Sequence, residues 1–182
     1  YRLANDENGQ KAIFTSDVRL VVKSTQDSLA SIHIEKNAEG SSFNAAKERA
    51  ESINYHYALV GNELRLDSYL STDIKNKFRD QEVYVTLFLP EGSTLYVDKN
   101  TYSFHRNPSY YEDILENGME EHYWKVEKDA LNCPDCDENF RLKIDLNNDK
   151  SGFKIDEDGI QLKSYKIYKL KTGDILVIIF CL

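Results

Sequence analysis

The sequence predicts a mainly β fold of antiparallel-rich packed sheets, in the form of a sandwich, a roll or a solenoid-like stack, with one or two short covering helices. Three observations carry that expectation. Strand-like runs recur at short spacing along the 182 residues. Polar turn signals separate them, namely Gly61-Asn62, Pro90-Glu91-Gly92, Asp156-Glu157-Asp158-Gly159 and Thr172-Gly173-Asp174. Within the runs apolar side chains alternate, most plainly in Val83, Val85, Leu87 and Leu89, which fall on one face of an extended chain; Leu95 and Val97 repeat the pattern beyond a Leu-Pro-Glu-Gly hairpin.

Taken in order, strands are expected at residues 18–23, 29–35, 53–59, 63–67, 81–89, 94–98, 140–146, 153–155, 160–163, 165–170 and 175–180. Ser31-Ile32-His33-Ile34-Glu35 and Arg141-Leu142-Lys143-Ile144-Asp145 alternate apolar with polar, so each has one wet face. Residues 175–180 do not alternate, which suits a central strand covered on both sides. One segment breaks the β pattern. Phe43, Ala46, Ala50 and Ile53 recur at helical spacing, with Lys47, Glu48, Arg49 and Glu51 on the other face, so residues 42–53 predict an amphipathic helix packed through those four residues and capped by Ser41 or Ser42. A weaker helix is expected at 109–116, after Pro108. Both would cover a sheet face or edge.

Length and composition fit one β-rich domain over 1–182, with 140–182 a candidate C-terminal subregion. Apolar residues make up 41% and charged residues 30%, and the twelve Tyr bring the aromatics to 12%, too many for a disordered chain. A formal net charge of −8 argues against nucleic acid and against an anionic membrane surface, since both draw affinity from Lys and Arg. The longest apolar run, residues 175–182, is far shorter than the roughly 20 residues a spanning helix needs. The chain begins with Tyr1 and shows no charged-then-apolar leader, so it is expected to be a piece of a longer protein, with the signal or anchor left out.

Chemistry-bearing residues are few. Cys133-Pro134-Asp135-Cys136 has the spacing of a redox thiol pair, of half a zinc site, or of a structural thiol pair closing a small disulfide loop. The alternating run that follows argues against the helix N-terminus a redox cysteine uses, and zinc would need two more ligands, with His122 and Cys181 the nearest candidates. The structural reading is favoured, which leaves Cys181 as an ordinary apolar residue. Asp145, Asn147 and Asp149 begin like a calcium loop, but Lys150 replaces the turn Gly and Asp156 the bidentate Glu, so an acidic turn is expected. His33, His56, His105 and His122 are scattered, no Gly-x-Ser-x-Gly elbow occurs, and none of the eight glycines forms a phosphate-cradling loop; no cofactor, metal or catalytic residue is expected. The abundant tyrosines could build a binding surface, with Tyr102, Tyr110 and Tyr111 the leading cluster.

Several segments in sequence order carry a family resemblance: Ala45-Ala46-Lys47-Glu48-Arg49-Ala50 into Ile53-Asn54-Tyr55-His56-Tyr57, then Leu64-Arg65-Leu66-Asp67-Ser68-Tyr69, Phe78-Arg79-Asp80-Gln81-Glu82-Val83, Leu89-Pro90-Glu91-Gly92, Leu95-Tyr96-Val97-Asp98, His122-Tyr123-Trp124-Lys125 and Leu131-Asn132-Cys133-Pro134-Asp135-Cys136. From about Val18 to Cys136 this order resembles the C-terminal, extramembrane region of Bacteroidetes membrane proteins that carry an N-terminal phage-shock-protein C (PspC) domain. The Leu-Pro-Glu-Gly hairpin is also similar to adhesin-type head domains of stacked strands. From Leu142 onward the resemblance fades. It implies an extracytoplasmic β domain of a membrane-anchored envelope protein, attached through segments absent from this chain, and it brings no catalytic residues. The expected function is therefore a non-enzymatic cell-envelope module that senses stress, adheres or binds a protein or envelope partner. The alternative is a thiol- or metal-dependent activity centred on Cys133 and Cys136.

Overall fold

A computed structural model describes residues 1–105, 112–134, 136, 162–168 and 175–181. Its strands are β1 (Arg2–Asn5), β2 (Lys11–Thr15), β3 (Val18–Thr25), β4 (Ala30–Asn37), β5 (Tyr57–Val60), β6 (Glu63–Asp67), β7 (Leu70–Asp73), β8 (Glu82–Pro90), β9 (Thr94–Val97), β10 (Tyr123–Glu127), β11 (Ala130–Asn132), β12 (Leu162–Tyr168) and β13 (Ile175–Cys181). One helix, α1 (Phe43–Glu51), and two 3₁₀ turns, Ile74–Asn76 and Lys99–Ser103, complete the described elements. The fold is mainly β, and most strand pairs are antiparallel.

Two sheets enclose the core. In the four-stranded sheet the order is β12-β4-β8-β3, and in the six-stranded sheet it is β11-β10-β9-β13-β6-β5. Period-two alternation turns Leu20, Val22, Ile32, Ile34, Val85 and Leu87 of the first sheet inward, and Leu64, Leu66, Leu95, Trp124, Leu176, Ile178 and Phe180 of the second meet them in one apolar cluster. Fully burying such a side chain stabilises by roughly 1.5–3 kcal/mol, so this cluster dominates the favourable energy. A third, three-stranded antiparallel sheet, β1-β2-β7, joins the N-terminal hairpin to a strand from far along the chain.

Neither large sheet is a simple succession of hairpins. Strand β8 lies between β3 and β4, parallel to the first and antiparallel to the second, and β13 lies between β9 and β6, parallel to both. Residues 175–180 thus form a central strand, as the apolar run predicts. Its faces are unequal, however: Leu176, Ile178 and Phe180 are buried, whereas Val177, Ile179 and Cys181 are half-buried on the outer face. The expected Leu-Pro-Glu-Gly hairpin also changes character, because β8 and β9 belong to different sheets and do not pair. Gly92, at φ 86°, and the bond from Ser93 N–H to Pro90 C=O (3.1 Å) turn the chain across the core instead.

Ser42 caps α1, its side chain accepting from Ala45 N–H, and Ala46 and Ala50 face the core. Ile53 is buried just beyond the helix, but Phe43 is 70% exposed: its place in the first turn sets it outside the contact made by the two alanines. Small alanines let the backbones approach closely. At Gly40 the approach is closest, since a Cβ there would lie 2.3 Å from Ala46 N. The second expected helix is not found where the chain is described: residues 112–116 form a turn and irregular chain, with Asp113 accepting from Val22 N–H (2.8 Å) and Leu115 N–H (3.0 Å). The first of these, with Ile114 N–H donating to Val22 C=O at 2.9 Å, covers the free edge of β3, and a helix, with its backbone N–H groups already paired, could not supply that second bond.

Other boundaries shift. The expected strand at 53–59 begins only at Tyr57, with Asn54 forming an isolated bridge to Ser71, and the runs at 160–163 and 165–170 are the single strand β12. Strands β1, β2, β7, β10 and β11 are short and were masked by polar or aromatic neighbours. The predicted strands at 140–146 and 153–155, the acidic turn at 145–156 and the Asp156–Gly159 turn signal lie outside the described residues.

Val85 is fully buried between Leu20 and Ile34, while its neighbour Thr86 faces outward and is half-buried. Val85→Asp should cost more than about 4 kcal/mol, because an unpaired carboxylate would enter the core, and Thr86→Asp less than about 1 kcal/mol. Chemical denaturation of both variants checks the facing assignment; equal losses would contradict it.

Candidate functional site

Beyond β11 the chain turns so that Cys133 and Cys136 form a disulfide with Cα atoms 5.4 Å apart, and both pack against the apolar core. Bonded to each other, the sulfurs present no thiolate for exchange and no half-site for zinc. His122 lies edge-on to Trp124 at 6.4 Å, and Cys181 is a free thiol at the end of β13. Among the described residues no group of three His, Cys, Asp or Glu could hold a metal ion.

Of the three tyrosines expected to form a binding cluster, only Tyr102 is among the described residues. It sits in the second 3₁₀ turn, 56% exposed, with its ring edge toward His105 at 6.4 Å. Tyr110 and Tyr111 lie outside the described residues. Sequence reasoning left His105 among the scattered histidines, yet it is 1% exposed and its Nε2 lies 2.6 Å from Oε1 of Glu120, itself 10% exposed. Neither atom has a hydrogen bond of good geometry among the described residues. Burial pushes the His105 pKa down, and Glu120 pulls against that shift, so a neutral imidazole fits the site. This pair joins the two ends of the 105–120 segment. So little exposure leaves no room for a substrate, and the pair reads as structural.

The same segment carries a second buried carboxyl. Burial raises the pKa of Asp113 to about 7, against the opposing pull of the N–H groups of Val22 and Leu115 and of the Lys23 ammonium; Glu116 adds to the rise.

The outer faces of the two large sheets differ in chemistry. On the four-stranded sheet, Arg19 lies over the Tyr84 ring at 5.7 Å and 3.7 Å from Glu82, with Lys23 and Glu35 on the same face, and the Phe88 and His33 rings pack there at 4.6 Å, so this surface mixes charges with aromatic rings. On the six-stranded sheet the register sets Tyr123, Tyr96, Val177, Glu63 and Val60 side by side across five strands. The Tyr96 and Tyr123 rings pack at 4.9 Å, and Tyr123 and Val60 are each 53% exposed. Ile179 and Ala58 continue the apolar band in a second row, divided by Arg65, which pairs with Glu63 at 2.6 Å. Alternation within each strand was legible beforehand; the alignment across strands was not, because β13 comes from far along the chain.

The family model described as ToastRack found in some PspC matches residues 4–139, a span that runs from β1 through the disulfide. Strands β12 and β13 lie beyond it. No curated protein and no solved structure matches the chain.

Two expected outcomes follow from this geometry. Replacing Cys133 and Cys136 by Ser should lower stability by about 2 kcal/mol or less, since so short a ring removes little chain entropy, and a thermal melt measures it. For Asp113 the folded-state pKa lies above the unfolded value of 3.8, so between about pH 4 and pH 7 the folded chain keeps a proton that the unfolded chain has lost, and stability falls as pH rises through that window. Asp113→Asn keeps the accepting oxygen without the ionisation and should flatten this slope, by on the order of 4 kcal/mol in denaturant titrations across the window. His105, whose pKa is depressed, acts in the opposite sense below its ordinary value of 6.5 and is common to both proteins.

Proposed function

The chain belongs to the toast-rack family found in some PspC proteins, and from that premise we propose that it is a non-enzymatic binding module held on the extracytoplasmic side of the cell envelope, where it docks a protein partner as part of envelope-stress sensing. Membership places it as a cell-envelope module of membrane-anchored proteins. No helix among the described residues is long and apolar enough to cross a membrane.

The observation that carries the reading is the aromatic and aliphatic band on the outer face of the six-stranded sheet. Tyr96 and Tyr123 supply rigid, amphipathic area with few rotamers to freeze, the residue type that anchors protein interfaces, while Glu63 and Arg65 supply the polar contacts that fix orientation. Tyr102, exposed on the second 3₁₀ turn, adds a further aromatic contact. On the other sheet's outer face the rings are interleaved with Arg19, Lys23, Glu35 and Glu82, charges suited to water.

A photo-crosslinking amino acid at position 123 should capture a protein partner in intact cells, and the same group at Tyr84 on the charged face should not. Capture from position 84 alone would move the site to the other sheet. Tyr123→Glu should abolish the crosslink formed from a probe at position 60 while shifting the melting temperature by no more than about 2 °C, because position 123 is half exposed.

A further inference from the structure

The register of the six-stranded sheet sets its outward side chains in rows that run across the strands. One row carries Tyr123, Tyr96, Val177, Glu63 and Val60, and the next carries Ile179, Arg65 and Ala58. All are exposed or half-buried, because their strand neighbours Leu64, Trp124, Ile178 and Phe180 fill the core instead. Taken strand by strand, the two rows are complements. On β13 the aliphatic Val177 neighbours the aliphatic Ile179, on β6 Glu63 neighbours Arg65 of opposite charge, and on β5 Val60 neighbours the smaller Ala58. The two charges already reach each other at 2.6 Å, and neither is sealed from water: the Glu63 side chain is 31% exposed and that of Arg65 48%.

Rows that complement each other in this way fit one symmetry operation. In an isologous contact, residue i meets residue j and j meets i. With a two-fold axis lying across the strands above Leu64, Glu63 meets Arg65 of a second copy and Arg65 meets its Glu63, while Val177 meets Ile179 and Val60 meets Ala58. The four charges then alternate in sign around the axis, and the aliphatic pairs on either side keep water from them. Successive outward residues of a strand are about 7 Å apart and facing sheets pack about 10 Å apart, so side chains as long as Glu and Arg bridge the contact. A row set against itself would oppose Glu63 to Glu63 and Arg65 to Arg65, so the offset of one row is selected by charge. A partner of unrelated sequence requires no such relation between neighbouring rows; a second copy does.

We propose that, on the reading of this face as a protein-docking surface, the partner is a second copy of this chain, packed face to face on the six-stranded sheet around the Glu63 and Arg65 pairs. Tyr96 and Tyr123 stand at the β9 and β10 end of the same row and extend the contact beyond its charged centre. The outer face of the four-stranded sheet, where Arg19, Lys23, Glu35 and Glu82 interleave with rings, stays in water in such a dimer. A contact only a few short strands wide lies at the small end of stable interfaces, so association is expected in the micromolar range.

The test follows the mass of the full chain in solution by sedimentation as concentration is varied. The unaltered chain should pass from monomer to dimer as concentration rises. Glu63→Arg and Arg65→Glu each oppose like charges across the axis, and each alone should weaken the dimer by about tenfold or more in Kd. Mixed in equal amounts, the two variants set opposite charges across the axis again and should recover a mixed dimer of the original affinity. The double variant Glu63→Arg/Arg65→Glu should recover it within one chain, and it keeps the internal pair, so it serves where a single variant does not fold. Thermal melts within about 2 °C of the unaltered chain are expected for all three, since both side chains are partly exposed. Monomer at every concentration up to about 1 mM, single variants that dimerise as tightly as the unaltered chain, or no recovery in the mixture or the double variant would overturn the proposal. A chain that stays monomeric while a photo-crosslinker at position 123 captures a different protein in cells leaves the docking surface standing and removes the second copy; capture of neither removes both.

Discussion

Strand β8 shows N–H and C=O groups on both edges and apolar side chains on its inner face, and in the dry centre of a sheet every one of those groups needs a partner. It finds them by lying between β3 and β4, two strands adjacent in sequence that do not pair with each other. Strand β13 does the same between β6 and β9. The two packed sheets are therefore each held together by a strand from elsewhere in the chain, and the core they share forms only when both insertions are complete. Parallel neighbours require long connections, and the helix α1 lies in the path from β4 to β8 that makes the first insertion reachable.

Polar side chains fix the irregular segments that these paths create. Gln81, fully buried, accepts from Arg79 N–H (2.8 Å) and donates to Lys77 C=O (2.8 Å), spanning a bend where Lys77 and Asp80 both take positive φ. The Asn76 amide donates to Ser52 Oγ (2.7 Å) and Thr72 Oγ1 (3.0 Å), tying the end of α1 to β7. The Trp124 indole donates to Met119 C=O at 2.7 Å, letting a large ring enter the core without stranding its N–H. Each of these groups is buried or nearly so, which is where a hydrogen bond contributes most by being made and costs most by being lost.

The buried titratable groups belong to this structural class. His105 with Glu120, and Asp113 with the edge of β3, hold one segment against the sandwich and offer no open cavity in which a substrate could meet them. Surface chemistry points elsewhere, to the band of Tyr123, Tyr96, Val177 and Val60. That band exists because β13 lies between β6 and β9 and brings the two halves of its sheet side by side.

Much of this was legible in the residues. Alternation at Val83–Leu89 assigns the facing of β8, Ser42 marks the start of α1, and the unbroken apolar run at 175–180 marks a central strand, because local periodicity and capping are written in neighbouring positions. Pairing is not local. The insertion of β8 and β13, the separation of β8 from β9 into different sheets, the exposure of Phe43, the replacement of a helix at 112–116 by an edge-covering loop and the meeting of His105 with Glu120 all depend on residues far apart in sequence. The chain by itself determined the longer alternating strands and which of their faces would be dry; tertiary structure decided the short strands β1, β2, β7, β10 and β11 and which strands would be neighbours, because backbone hydrogen bonds are the same for every sequence and only the closing of a shared core selects among them.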